Sequence, residues 1–155
     1  GYANWADQDN WHSPHYATIE HIAPQNPGQN SDWDTKLYDE RDLFDRIGNL
    51  ALLPTSINSA VGNNSWSSKW IYYSHLAEAN PQNLAKLNDL AKTSGLLLKS
   101  RTIKLLRNAQ FNYHMDPIVS VGMDGTWDAD LVERRTKRML EIFHDRMMQW
   151  LHVEE

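Results

Sequence analysis

Glu20 and His21 stand side by side in the segment Ile19-Glu20-His21-Ile22-Ala23-Pro24-Gln25. The pair puts an acid beside an imidazole at the end of an expected strand, just before a proline that turns the chain. Consecutive side chains of an ideal strand point to opposite faces. The two share a site only if the strand breaks beside them, and Pro24 supplies such a break. A Glu-His pair is common on surfaces and needs company. Asn49, Asn58, Asn63 and Lys69 supply it from the stretch 47–69. The chain has no cysteine, which excludes a disulfide framework, a thiol nucleophile and thiolate zinc ligation. Any metal falls to His, Asp, Glu or Asn.

The elements that must position these residues can be read from the pattern. Tyr16–Ile22 has the aromatic and β-branched content of a short strand, and Asn49–Leu53 reads as a second. Residues 24–32 form a loop, and a short helix is expected over Thr35–Asp45. Pro54 stops the second strand. Thr55 or Ser56 then caps a helical segment carrying Asn58, which is interrupted at Gly62 and continues through Trp66, Lys69 and Tyr73. Asn80-Pro81 starts another helix with Leu84, Leu87 and Leu90 on one face, and Gly95 stops it. Leu97–Gln110 supports a further helix with Ile103 and Leu106 inward, and Asp116–Thr126 reads as a loop. From about Asp128, Val132, Met139, Phe143, Met147 and Trp150 recur at helical spacing, a stripe expected to pack in the core.

Taken together, Ile-Glu-His-Ile-Ala-Pro-Gln, then Ile-Gly-Asn-Leu-Ala-Leu-Leu, then Asn58 with Asn63 five, Trp66 eight and Lys69 eleven residues on, resemble the HNH, or His-Me finger, nucleases. The nearer resemblance is to the subgroup at the C terminus of GmrSD-type modification-dependent restriction enzymes and of the phosphorothioate-linked Ssp defence nuclease. Trp127 with Val132, Arg135 and Leu140 resembles that subgroup's last helix. The resemblance implies an α+β, mostly helical fold: a ββα-metal core over about 16–76 and a helical part over about 80–153. It implies a general base at His21, a cation held by Glu20 and Asn58, and a bracing amide at Asn49. Lys69 and Asn63 are expected at the substrate phosphate, with capping of the next helix as the other reading of Asn63. Arg135 coincides with the subgroup's arginine and either sits in a buried ion pair or reaches the substrate. Asn58 stands where the name HNH expects a second histidine. An amide oxygen suits Mg²⁺ or Mn²⁺ better than zinc, so no zinc is expected.

The whole chain of 155 residues is long enough for one core, and its 41% apolar and 23% charged residues are those of a folded domain. No apolar run is long enough to span a bilayer, so no membrane association is expected; the lack of cysteine points to the cytoplasm, and the resemblance implies a bacterial one. A net charge of −5 is unusual for a domain that grips nucleic acid unaided. Two basic clusters are nonetheless candidates for backbone contact: Lys99, Arg101, Lys104 and Arg107, and Arg134, Arg135, Lys137 and Arg138. His12, His15, His75, His114, His144 and His152 belong to no motif. The expectation is a single HNH-type domain over 1–155, the C-terminal part of a longer protein whose N-terminal NTPase or sensor domain controls it, nicking or cleaving DNA in anti-phage or restriction defence. The rival expectation is a catalytically silent module of the same fold that binds nucleic acid or a partner. A metallohydrolase acting on protein or small molecules is disfavoured, since the chain has no His-Glu-x-x-His helix.

Overall fold

Two four-residue strands, β1 (Thr18–His21) and β2 (Leu50–Leu53), pair antiparallel with Thr18 opposite Leu53 and His21 opposite Leu50. The computed structural model describes residues 18–29, 31–39, 41–99 and 112–151. Tyr16, His12, His15, His152, the expected helix from residue 100 to Gln110 with Ile103 and Leu106, and the cluster Arg101, Lys104 and Arg107 lie outside them. Residues 97–99 of that expected helix are described and are not helical.

Pro54 closes β2, and its carbonyl accepts from the amides of Ile57 and Asn58, so helix α1 (Thr55–Val61) starts directly on it. Neither Thr55 nor Ser56 is the cap; Pro54 occupies that position. Gly62 ends the helix at φ +47, a left-handed conformation that favours glycine. A new helix, α2 (Trp66–Ala77), follows. Helix α3 (Pro81–Thr93) begins where Asn80 accepts from the Gln82 amide at 2.8 Å, and Leu84 is its buried anchor, with Leu87 and Leu90 half-buried beside it. Helices α4 (Asn112–Val119) and α5 (Ala129–Leu151) complete the described elements.

Three further regions depart from expectation. Residues 35–49 form three 3-10 turns, Thr35–Tyr38, Leu43–Asp45 and Ile47–Asn49, in place of a helix over Thr35–Asp45. Asp34 and Asp39 bond back to amides two residues on, and such local bonds compete with helix propagation. Asp116–Val119 are helical despite Pro117, because Met115 and Ile118 are wholly buried and Trp70 Nε1 donates to Val119 O at 2.8 Å. Finally, the apolar stripe of α5 is core only at its start. Val132 is fully buried, whereas Phe143 and Trp150 are 62% and 78% exposed, and Met147 is exposed as well.

The core gathers Ile22, Leu37, Leu53, Ile57, Val61, Tyr73, Met115, Ile118, Trp127 and Val132 beneath the two strands. Helix α5 crosses so close to Gly48 that any side chain there would collide with Val132 O and Thr136. Thr136 Oγ1 also accepts from the Gly48 amide at 3.0 Å, which ties the turn before β2 to the last helix. No helix among the described residues is long and apolar enough to cross a membrane.

Helix α4 presents His114 to β2, where Nε2 donates to Leu52 O at 3.2 Å. Burial pushes the imidazole down from 6.5 to about 4, so the folded state keeps it neutral. Between those values the unfolded chain binds the proton and the folded chain does not. Stability is therefore complete above pH 6.5 and declines as pH falls toward 4. Urea titrations across that window are expected to show a decline that His114→Gln flattens; an equal pH slope in the variant would remove His114 as its source.

Candidate active site

Strand β1 alternates, and its alternation separates the two candidate chemical groups. Glu20 turns inward and is 3% exposed, while His21, the last residue of the strand, stays half-buried at the edge. The strand ends immediately afterwards. Glu20 and His21 therefore both line one cleft of about 210 Å³, together with Ile19, Pro24, Gln25, Asn26, Asn58, Gly62 and Asn63. Two larger grooves, of about 530 and 550 Å³, are lined by none of the expected site residues.

Beneath the cleft, Lys69 and Tyr73 lie one helical turn apart on α2 and so face the same way. Both reach one oxygen of Glu20: Lys69 Nζ at 2.7 Å and Tyr73 Oη at 2.8 Å from Oε1. Lys69 also donates to His21 O at 2.9 Å. Lys69 is wholly buried, so its expected place at a substrate phosphate is not where the structure puts it. It is the counter-ion of Glu20 and a tether for the strand end. Burial pushes the Glu20 carboxyl up and the Lys69 ammonium down, and each offsets the other's shift. Burial, with the Glu20 carboxylate beside it, also holds the Tyr73 phenol protonated as a donor. The second Glu20 oxygen, Oε2, takes no hydrogen bond among the described residues.

Asn58 sits on the first turn of α1, facing β1. Its amide nitrogen donates to Thr18 Oγ1 at 3.0 Å and Ile19 O at 2.9 Å. These bonds orient the side chain and leave its Oδ1 without a partner among the described residues. Asn63 lies exposed on the cleft rim, where Nδ2 donates to Asn26 O at 2.9 Å; it does not cap α2.

Asn49 is fully buried behind the cleft. Its Nδ2 donates to Ala23 O and Phe44 O at 2.8 and 2.7 Å, and its Oδ1 accepts from the Ala23 amide and Trp127 Nε1 at 2.8 and 2.9 Å. One side chain thus clamps the segment after His21 to the turn at Phe44, and it touches nothing in the cleft. Arg135 also lies away from it. Its guanidinium donates to Gly48 O and to Leu50 O and stands over the Trp127 ring at 5.7 Å. Arg135 forms no ion pair among the described residues and does not line the cleft; it ties α5 to the backbone entering β2. Burial lowers it to about 10, which still leaves it charged at neutral pH. Of the second basic cluster, Arg134, Lys137 and Arg138 are exposed, and Arg138 meets Glu141 at 3.5 Å.

The structure adds a residue that the sequence pattern passes over. His21 Nε2 lies 2.9 Å from Asp45 Oδ1, and Gln25 Nε2 donates to the same oxygen at 3.2 Å. Asp45 ends the 3-10 turn Leu43–Asp45, in a stretch so rich in charge that nothing marks it out. Tyr73 had a signal, its four-residue spacing from Lys69, which places both on one helix face.

No curated protein matches the chain. The family model described as the C-terminal domain of GmrSD restriction endonucleases matches residues 2–142, which include both strands, α1, α2 and the clamp from Trp127 and Arg135. With most of its length so matched, the chain belongs to the family of GmrSD restriction endonuclease C-terminal domains.

Proposed function

We propose that the chain is a metal-dependent DNA endonuclease domain of the HNH, ββα-metal type, acting in restriction or anti-phage defence under the control of an N-terminal sensor or NTPase domain. The observation that carries this reading is that Glu20, His21 and Asn58 line one cleft while, among the described residues, Glu20 Oε2, Asn58 Oδ1 and His21 Nδ1 take no hydrogen bond. The order strand, strand, helix around that cleft supports it.

Glu20 and Asn58 fit a hard divalent cation such as Mg²⁺ or Mn²⁺, because both offer oxygen. The amide oxygen of Asn58 suits such a cation better than zinc. Glu20 and Asn58 would hold the cation through these oxygens. When bound, the cation offsets the charge that builds on the phosphate in the transition state. His21 takes the proton of the attacking water, and the phosphodiester opens with departure of the 3′-oxygen. Lys69 offsets the upward push of burial on Glu20 and aims its carboxyl group. Asn49 holds the segment after His21, and Asn63 meets the substrate at the rim.

Cleavage of supercoiled plasmid is expected to stop in excess EDTA while the circular dichroism spectrum is unchanged. In Asn58→Ala, half-maximal activation is expected at a higher Mg²⁺ concentration. Full activity in EDTA would sink the one-cation reading.

A further inference from the structure

We propose that Asp45 is a positioning residue for His21: it holds the imidazole by Nε2–H and so leaves the Nδ1 lone pair as the one that takes the proton from water. The proposal rests on the nuclease reading above and adds to it a residue and a ring nitrogen. An ionised carboxylate only accepts, so the proton in the 2.9 Å contact between His21 Nε2 and Asp45 Oδ1 is carried by Nε2. In the neutral ring the other nitrogen is then the base, since the hydrogen bond made by one nitrogen sets the tautomer.

The surroundings are built to present this carboxylate. Leu43, 3% exposed, anchors the turn, and the amides of Asp45 and Arg46 close it on Asp42 O and Leu43 O at 3.0 and 3.1 Å. Asp42, where the turn begins, is the one non-glycine residue with positive φ among the described residues, at φ 45. Such backbone is costly for a side-chain-bearing residue and persists where neighbours hold it. The clamp at Asn49 grips Phe44 O and Ala23 O together, so it ties the turn bearing Asp45 to the segment bearing His21. Gln25 steadies Oδ1 from the other side. Asp45 does not line the cleft that holds Glu20, His21 and Asn58, which separates it from the groups that would touch a cation or substrate.

A double-mutant cycle on the 155-residue chain tests the proposal. Asp45→Ala is expected to lower kcat by about 10- to 100-fold, as loss of an orienting partner does, with KM for plasmid and melting temperature nearly unchanged. In the His21→Ala background the same change is expected to cost nothing more, because Asp45 acts only through the imidazole. Asp45→Glu is expected to recover part of the loss. In nitrogen-15 spectra, the protected Nε2–H signal of His21 is expected to disappear in Asp45→Ala, a readout that needs no cleavage. A further loss of rate in the double variant, or an Asp45→Ala enzyme with wild-type kcat, would overturn the positioning role and leave the nuclease reading standing. A wild-type chain that cleaves nothing while the Nε2–H signal still depends on Asp45 would overturn the nuclease reading alone.

Discussion

Replacing His21 by alanine is expected to lower DNA cleavage by roughly 10²- to 10⁴-fold, the usual worth of a positioned proton acceptor. The fold should survive the change. His21 ends β1, its side chain is only half-buried, and its hydrogen-bond partner Asp45 lies on the solvent side, so no core contact is lost. The backbone bond from Lys69 Nζ to His21 O does not depend on the imidazole. Melting temperature and far-ultraviolet circular dichroism should therefore match the wild type. Rates in plasmid assays decide the matter: equal activity in the variant removes His21 from the mechanism.

The second large effect is on stability. Lys69→Met removes the only cation within hydrogen-bond reach of the buried Glu20 carboxylate among the described residues and is expected to cost about 3–5 kcal/mol, the range for leaving a buried charge unpaired. For a domain of this size that is a fall of roughly 10 °C in melting temperature. The loss should depend on pH. Burial already raises the Glu20 carboxyl above its ordinary 4.5, and Lys69 is the main influence lowering it again. Without Lys69 the folded-state value rises further above the unfolded one. The variant is then most stable below pH 4.5 and weakens as pH rises through the folded-state value. Adding Glu20→Gln should recover much of the stability, since no charge remains to be buried. Guanidinium midpoints for the two variants across that pH range give the answer, and a loss under 1 kcal/mol in Lys69→Met would mean that the pair contributes little to the fold.

Much of this arrangement is legible in the sequence where chain-local rules act alone. The strand ending near Pro24, the strand stopped by Pro54, the break at Gly62 and the Asn80-Pro81 helix start each follow from one residue's backbone chemistry, and each is found within a residue or two. Motif spacing likewise brings Glu20, His21, Asn58 and Asn63 to one cleft. What escapes is direction in three dimensions. Spacing places Lys69 on the same helix face as Tyr73 but does not say that the face points beneath β1 rather than outward to a phosphate. Arg135 is tied to the backbone at Gly48 and Leu50, and both Arg135 and Asn49 meet Trp127, an arrangement that depends on how α5 crosses the turn before β2. Asp45 is invisible for the opposite reason: its neighbours are equally acidic, and only the turn at Asp42 aims it. The apolar end of α5 shows that helical spacing marks a face without guaranteeing that anything within the described chain covers it.

The cleft formed by Glu20, His21 and Asn58 is proposed to hydrolyse phosphodiesters with a bound cation. The most direct measurement is incubation of the wild-type chain with supercoiled plasmid and Mg²⁺ or Mn²⁺, followed by end-group analysis of the products. Open-circular or linear DNA bearing 5′-phosphate and 3′-hydroxyl ends is expected, formed only with the cation and lost in His21→Ala. Plasmid left supercoiled by the folded chain with either cation, or cut equally well by His21→Ala, would contradict it.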